Sequence, residues 1–231
     1  METTLRGKTE KFADTLNRIV EVSIDTDIKF QIYIAEDAKR ANLQPMNHLK
    51  RRSNGFPLVR RGDDPQAPAL LLVAKFVVEM DGEAKHLQVA SSTIGLWVDV
   101  TCGSKSPRPL IRVEYDRRKE EYDRTLAHVH LHAHSPELAW IYGSSGQPAL
   151  DLHRLHFPVG GRRFRPTLEE FLLFLDREKL YTNFKMGWKP KVQESLQHWE
   201  EIQAAATVRR FPHTATHTLE KLGYTVIAPV T

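Results

Sequence analysis

Residues 69–91, ALLLVAKFVVEMDGEAKHLQVAS, decide the fold of this chain. They contain one apolar segment, 69–80, then the dipeptide Asp81-Gly82, and then a second segment rich in apolar residues. An Asp-Gly pair between two such segments is a strong signal for a two-residue β-hairpin turn. The stretch therefore predicts two antiparallel strands joined at positions 81 and 82.

Further strands are predicted on both sides of this hairpin. They have the sequences IKFQIYI (28–34), IGLWVDV (94–100), PLIRVEYD (109–116) and HVHLHAHS (128–135). In 109–116 the apolar residues Ile111, Val113 and Tyr115 alternate with charged residues, as in a strand with one buried face. Because the connections are short and polar, we expect an antiparallel β-meander within a β-rich region, 27–135.

Helices are predicted mainly after this region. An amphipathic segment, TEKFADTLNRIV (9–20), precedes the strands, and EDAKRANL (36–43) is predicted to form a short helix. A helical region, 166–223, follows, in which Thr167 and Glu170 have the spacing of a capping box. The ending GYTVIAPV (223–230) is predicted to form a final strand. We expect one α+β domain over residues 1–231, with an antiparallel β-meander sheet packed against C-terminal helices.

The composition narrows the class of protein. Of the 231 residues, 41% are hydrophobic and 27% are charged, which is typical of a globular protein with a core of its own. Cys102 is the single cysteine, so the chain has neither an internal disulfide nor a multi-cysteine metal site. The N-terminus, METTLRGKTEKF, has no apolar signal core, and no apolar run has the ~20 residues that span a bilayer. A cytoplasmic protein without a membrane partner is expected.

The positive charge is concentrated in one stretch. The net charge is +4, and residues 45–68 form a polar segment interrupted by proline and glycine, which predicts a long basic loop. Its cationic side chains are candidates for binding nucleic-acid phosphates: Lys50, Arg51, Arg52, Arg60 and Arg61. The alternative is a solvated loop that binds nothing.

The histidine strand, 128–135, is the first candidate site. Its four histidines stand at alternate positions and should share one face, with Val129, Leu131 and Ala133 on the core face. Two imidazoles on a strand and one ligand from elsewhere can hold a divalent metal ion. The best set is His130, His132 and Glu137.

The spacing of these three residues, His-x-His-x4-Glu, resembles the first motif of the cupins, small β-barrels whose metal sits on such a triad. The segment Pro158-Val159-Gly160, followed by Arg163, resembles their second motif, although arginine stands where that family has histidine. The glycines of the first motif are also displaced, and helices stand where further barrel strands would be. The alternative is that the histidines form a polar face, hydrogen-bonded to Glu114 and Asp116 on the preceding strand.

A glycine–arginine turn before a predicted helix is the second candidate site. Residues 153–166 read HRLHFPVGGRRFRP. Paired glycines let the backbone approach a ligand closely, and arginines at a helix start favour an anion. The candidate anion ligands are Gly160, Gly161, Arg162, Arg163 and Arg165.

A helix packed on the sheet would bring this turn beside the histidine strand, so that one pocket holds both. His156 would then be a third candidate catalytic residue besides His130 and His132. The alternative is that Glu169 and Glu170 interact with the helix dipole while the arginines pair with surface acids.

Several segments together resemble a family of actinobacterial proteins of unknown function. These segments are SSTIGLWVDV (91–100), RVEYDR (112–117), HVHLHAHS (128–135), RLHFPVGGRRFRPTLEEFLLFL (154–175) and LEKLGYTVIAP (219–229). The resemblance covers most of the chain and implies one integral, soluble, bacterial unit. It transfers no activity.

Three functions follow as hypotheses. The first is binding of a phosphate-bearing ligand, either nucleic acid or a phosphorylated small molecule, through the basic loop and the glycine–arginine turn. The second is a metal-dependent or histidine-based hydrolase acting on phosphoesters, with His130, His132 and His156 as its catalytic residues. The third is a protein-interaction partner in a toxin–antitoxin or phage-defence pair.

Overall fold

The computed structural model describes residues 4–46, 55–58, 69–99, 108–117, 126–133, 135, 152, 155–159 and 165–227. These residues form an eight-stranded antiparallel sheet and four α-helices, which confirms the predicted α+β class. The elements are α1 (Leu5–Ser23), β1 (Lys29–Ile34), β2 (Arg40–Met46), β3 (Phe56–Leu58), β4 (Ala69–Met80), β5 (Leu87–Asp99), β6 (Arg108–Asp116), β7 (Ala127–Leu131), β8 (Phe157–Pro158), α2 (Leu168–Arg177), α3 (Trp188–Arg210) and α4 (Pro212–Lys221). None of the helices in these ranges is long and apolar enough to cross a lipid bilayer.

The sheet is a meander with one additional edge strand. Its order is β1-β2-β4-β5-β6-β7-β8, and β3 pairs with β4 next to β2. The predicted hairpin joins β4 to β5, but its loop is longer than two residues because the Asp81 amide donates to the His86 carbonyl at 2.8 Å. Ala84, with φ of 55°, adopts the positive angle in this loop. The hairpin was therefore predicted correctly and its turn was not.

Three other expectations about elements were wrong. The predicted strands at either side of position 92 are one continuous strand, β5, that pairs with β4 along its length. The segment predicted as a short helix, 36–43, instead forms a turn and the start of β2, because Ala41 and Leu43 are buried against Val78 and Phe76 of β4. Tertiary burial outweighs helix propensity there. Residues 224–227, predicted as part of a strand, have no regular structure.

The core lies between one face of the sheet and the helices. Leu16 and Val20 of α1 and Leu172 of α2 are buried in the same cluster as Phe76 of the sheet. The ring of Phe12 also meets the ring of Phe76 edge-on at 5.5 Å. Since both the first helix and the later helices contribute, the layer that covers the sheet is drawn from both ends of the chain.

The start of α2 is fixed by the predicted capping box. The Glu170 amide donates to Thr167 Oγ1 at 3.1 Å, and the Thr167 amide donates to Glu170 Oε2 at 2.8 Å. Two backbone donors at the helix start are thereby satisfied. This reciprocal pair sets where the chain leaves the turn and enters the helix.

Strands β6 and β7 have apolar side chains on one face and charged or histidine side chains on the other. Val113 and Val129 face the helices and line an apolar cavity of about 630 Å³ together with Phe171 and Phe174. Leu131, which was also predicted for the core face, is exposed, as is Ala133. The predicted core face is therefore correct at Val129 alone, because β7 ends at Leu131.

Candidate metal centre

Strand pairing brings three histidines onto the face of the sheet that points away from the helices. Glu114 of β6 lies opposite His128 of β7, and Arg112 lies opposite His130. On the other side of β7, Val129 pairs with Phe157 of β8. Extending that register by one residue sets His156 opposite His130. Because opposed residues in an antiparallel pair share a face, the three imidazoles converge.

The imidazole rings are in mutual contact. One ring nitrogen from each of His128, His130 and His156 lies within 4.8 Å of the others. The ring centroids are 4.8 Å apart for His128 and His130, 4.7 Å for His128 and His156, and 4.5 Å for His130 and His156. We call these three residues the histidine cluster.

The histidine cluster has a buried side and an open side. His128 is 0% exposed and His130 is 5% exposed, whereas His156 lies at the surface. Buried imidazoles are held by packing, so two of the three donors have little freedom to move. A ligand or substrate would reach the cluster from the side of His156.

A carboxylate completes the group. Oε2 of Glu114 lies 3.5 Å from Nε2 of His128 and 3.7 Å from Nε2 of His130. Its other oxygen, Oε1, pairs with Nη1 of Arg112 at 3.0 Å. The arginine therefore fixes one carboxylate oxygen while the second oxygen faces the histidines.

The environment of Glu114 keeps its carboxyl group ionised. The close approach of the His128 imidazole, helped by the charge of Arg112, lowers the pKa of Glu114 from 4.5 to about 2, although partial burial acts in the opposite direction. Stabilisation of the charged form by a polar contact and by a nearby cation explains this direction. Glu114 is therefore ionised at neutral pH, and Arg112 pairs with its charge beside the histidine cluster.

These distances are close to those of a metal site. With metal–ligand bonds of ~2.0–2.1 Å, the donor atoms of a tetrahedral site lie roughly 3.3–3.4 Å apart. The separations between Glu114 and the two buried histidines already approach that value. The imidazole nitrogens lie within 4.8 Å of one another and would have to close by up to about 1.4 Å. Side-chain rotation at the exposed His156 can supply this for its own two separations. Imidazole donors with one carboxylate suit zinc, iron, cobalt or nickel better than magnesium or calcium.

The predicted metal set and the histidine cluster share one residue, His130. The structure brings His130 together with His156, which was predicted as a catalytic residue, and adds His128, which was not in the predicted metal set. His132 is outside the cluster, since it follows the end of β7, where its amide donates to the Leu110 carbonyl at 2.9 Å. Glu137 lies outside the described residues. The alternation of histidines already put His128 on the correct face, but His156 could be found only through the pairing of β7 with β8.

Glu114 had been considered only as a hydrogen-bond partner for the histidine face. The structure supports that contact and makes Glu114 the acidic member of the group. Its position in β6, paired with His128 across the strands, could be derived only once the register was known.

The described arginine of the glycine–arginine turn does not share this pocket. Arg165 lies on the helix-covered side of the sheet, with its guanidinium 4.4 Å from the ring centroid of Trp199. It lines a cavity there with Tyr115, whose side chain points away from its neighbour Glu114. The expectation that the histidines and this arginine meet in one hollow was wrong, because they occupy opposite faces of the sheet.

The remaining predicted ligands lie outside the described residues. They are Gly160, Gly161, Arg162 and Arg163 of the turn and Lys50, Arg51, Arg52, Arg60 and Arg61 of the basic loop. Nucleic-acid binding through the basic loop stays a prediction.

In comparisons with known proteins, no protein-family model, no curated protein and no solved structure matches this chain.

Proposed function

We propose that this protein binds a divalent transition-metal ion on His128, His130 and His156 and uses it to hydrolyse a phosphoester. One observation carries the proposal, namely that three imidazole donors lie within 4.8 Å of one another. Three histidine ligands with an accessible further position are typical of catalytic zinc sites. The exposed edge at His156 provides that access.

Glu114 supports this function through its charge and its orientation. Because Arg112 holds Oε1, the oxygen Oε2 is directed at the two buried histidines. In that position the carboxylate can act as a fourth ligand, or it can orient a histidine and accept a proton from a metal-bound water. A metal ion supplies the chemistry that imidazoles lack, since it lowers the pKa of a bound water to about 7 and polarises a phosphoryl oxygen.

The proposed substrate class rests on the guanidinium group of Arg112 near the histidine cluster. Arg112 is a cation directly beside it, and its Nη1 is 3.0 Å from the Glu114 carboxylate. Guanidinium groups stabilise the negative charge that develops on a transferring phosphoryl group. A phosphoester is therefore the proposed substrate, in line with the hydrolase hypothesis from the sequence.

Metal binding is the first test. Protein stripped with a chelator would be titrated calorimetrically with zinc and with cobalt(II), and the visible absorption of the cobalt protein would be recorded. We expect one metal ion per chain and the spectrum of a site with nitrogen ligands. His156→Ala should weaken metal binding by at least about 100-fold. Loss of a residue that only hydrogen-bonds to a metal ligand can already lower metal affinity by about that factor, and loss of a ligand should lower it at least as much.

Two control variants each remove a histidine that lies outside the histidine cluster. His198→Ala removes an imidazole that is 73% exposed on α3, and it should leave metal affinity unchanged. His132→Ala should also have little effect, because His132 is not in the cluster. If His132→Ala abolished metal binding while His156→Ala did not, the metal ligands predicted from the sequence would be correct. The three imidazoles of the histidine cluster would then only pack against one another.

Catalysis is tested separately with the loaded protein. We expect metal-dependent hydrolysis of p-nitrophenyl phosphate or its bis-ester, lost in His156→Ala and reduced in Arg112→Met. A protein that binds one metal ion tightly yet turns over neither ester would refute the hydrolase and leave the metal site standing. A protein that binds neither zinc nor cobalt would refute both.

A further inference from the structure

A second cavity lies on the helix-covered side of the sheet. It has a volume of about 520 Å³ and is lined by the start of α1, the β4–β5 loop, the end of β6 and the C-terminal half of α3. Four cationic side chains line it: Lys8, Arg117, Arg165 and Arg209. The aromatic side chains of Phe12, Tyr115 and Trp199 form part of the same wall. We call it the arginine cavity.

The negative charge in the wall of the arginine cavity does not balance these cations. Asp81 is the one acid among its lining residues, and its Oδ1 already accepts hydrogen bonds from the amides of Lys85 at 2.7 Å and His86 at 3.0 Å. These bonds lower the pKa of Asp81 and keep it in the loop. Within the part of the chain that the structure describes, none of the four cations forms an ion pair with any carboxylate. Among the described residues that line the cavity, positive charge is therefore in surplus.

Among the four cations, Arg165 is the one whose charged form is most disfavoured. Arg165 is half-buried, with its guanidinium 4.4 Å from the ring centroid of Trp199 and 5.9 Å from that of Phe76. Burial lowers the pKa of Arg165 to about 10, so the group is still charged at neutral pH, and the nearby Arg117 cation disfavours its charge further.

The two carboxylates that act on Arg165 are engaged elsewhere. Glu169 accepts a hydrogen bond from Ser195 Oγ at 2.8 Å, and Glu170 belongs to the capping box of α2. The cavity holds three guanidiniums, those of Arg117, Arg165 and Arg209, and none has an ion-paired acid among the described residues. Such an arrangement is unfavourable unless an anion joins them. A ligand that brings negative charge would remove this cost.

We propose that the arginine cavity binds a phosphate-bearing small molecule with a flat apolar body, of the size of a mononucleotide. Arginine forks bind phosphate oxygens in a bidentate manner, and a cluster of four cations suits a group that carries two or more negative charges. The aromatic wall suits a ring system beside the phosphate. A volume of about 520 Å³ lies within the usual range for small-molecule sites.

This ligand site is separate from the proposed metal centre. Tyr115 and Glu114 are neighbours in β6 and point to opposite faces of the sheet, the first into the arginine cavity and the second toward the histidine cluster. The test of the arginine cavity therefore uses metal-free protein. Loss of the metal proposal would not affect its outcome.

Calorimetric titration in low-salt buffer, with thermal unfolding as a second readout, tests the proposal. The probes are ADP, inorganic pyrophosphate and adenosine. We expect ADP to bind most tightly, pyrophosphate less tightly and adenosine weakest, and we expect the affinity for ADP to fall as salt is raised. Arg165→Met and Arg117→Met should each weaken ADP binding by at least about 10-fold, because each removes a charged hydrogen-bond donor.

Arg6→Met is the matched control. It removes the same charge from a side chain of α1 that is 72% exposed and outside the arginine cavity, so ADP affinity should be unchanged. If Arg165→Met fails to fold, Arg117→Met carries the test alone. The proposal is overturned if neither ADP nor pyrophosphate binds at low salt, if adenosine binds as tightly as ADP, or if Arg6→Met loses as much affinity as Arg117→Met.

Discussion

Replacing Glu114 by glutamine tests the electrostatics of the histidine cluster in the metal-free protein. A fall of the carboxyl pKa from 4.5 to about 2 corresponds to about 3 kcal/mol of folding free energy, at about 1.4 kcal/mol per tenfold change in ionisation. The side chain is 22% exposed, so solvent screening reduces the expected effect to about 1–2 kcal/mol. Glu114→Gln should lower the free energy of unfolding by that amount at pH 7.

The stability difference between wild type and Glu114→Gln should depend on pH. A carboxyl group whose pKa is lowered on folding stabilises the native state fully above pH 4.5, and this stabilisation disappears as the pH falls toward 2. The difference between wild type and Glu114→Gln should therefore shrink by more than half between pH 7 and pH 3. Urea unfolding of chelator-treated protein at both values measures it, with the exposed Glu83→Gln as control. An equal difference at pH 7 and pH 3 would show that the ionised carboxylate is not what stabilises this site.

Three further substitutions test how the fold supports the sites. Gly95→Ala should destabilise the protein by about 1–3 kcal/mol and weaken zinc binding, because the new Cβ would lie 3.0 Å from Cα of Arg112 and displace β6; unchanged urea unfolding would contradict this. Thr167→Ala should lower the free energy of unfolding by about 1 kcal/mol through loss of the capping box. The helical signal in circular dichroism should fall no further than this loss of stability implies, and a larger fall would contradict the prediction. Leu172→Ala should cost about 2–5 kcal/mol because Leu172 is fully buried, and a smaller cost in thermal unfolding would mean that the α2 contact with the sheet is loose.

The strands of the meander could be predicted because their signals are local. Apolar residues alternate along 109–116, and the Asp81-Gly82 pair marks a reversal between two apolar segments. The capping box at Thr167 and Glu170 is equally local, since its two residues stand three apart. Where local signals competed with burial, as in 36–43, the prediction was wrong because Ala41 and Leu43 are buried by β4, far away in the sequence.

The candidate metal centre could be predicted only in part. Alternation shows that His128 and His130 share a face, and this property of a strand needs no tertiary structure. It does not show which element lies beside that strand. The pairing of β7 with β8 brings in His156 from a distant part of the chain, and the pairing of β7 with β6 brings in Glu114.

The sequence by itself determined most strands of the meander, the start of α2 and the faces to which the side chains of a strand alternate. The reason is that backbone geometry sets the period of a strand, and capping residues three positions apart set the start of a helix. Only the tertiary structure decided which faces the helices cover. It thereby put Arg165 with Trp199 on one side of the sheet and the three histidines on the other. The physical reason is that helix packing and strand register depend on burial summed over the whole chain, which no single segment contains.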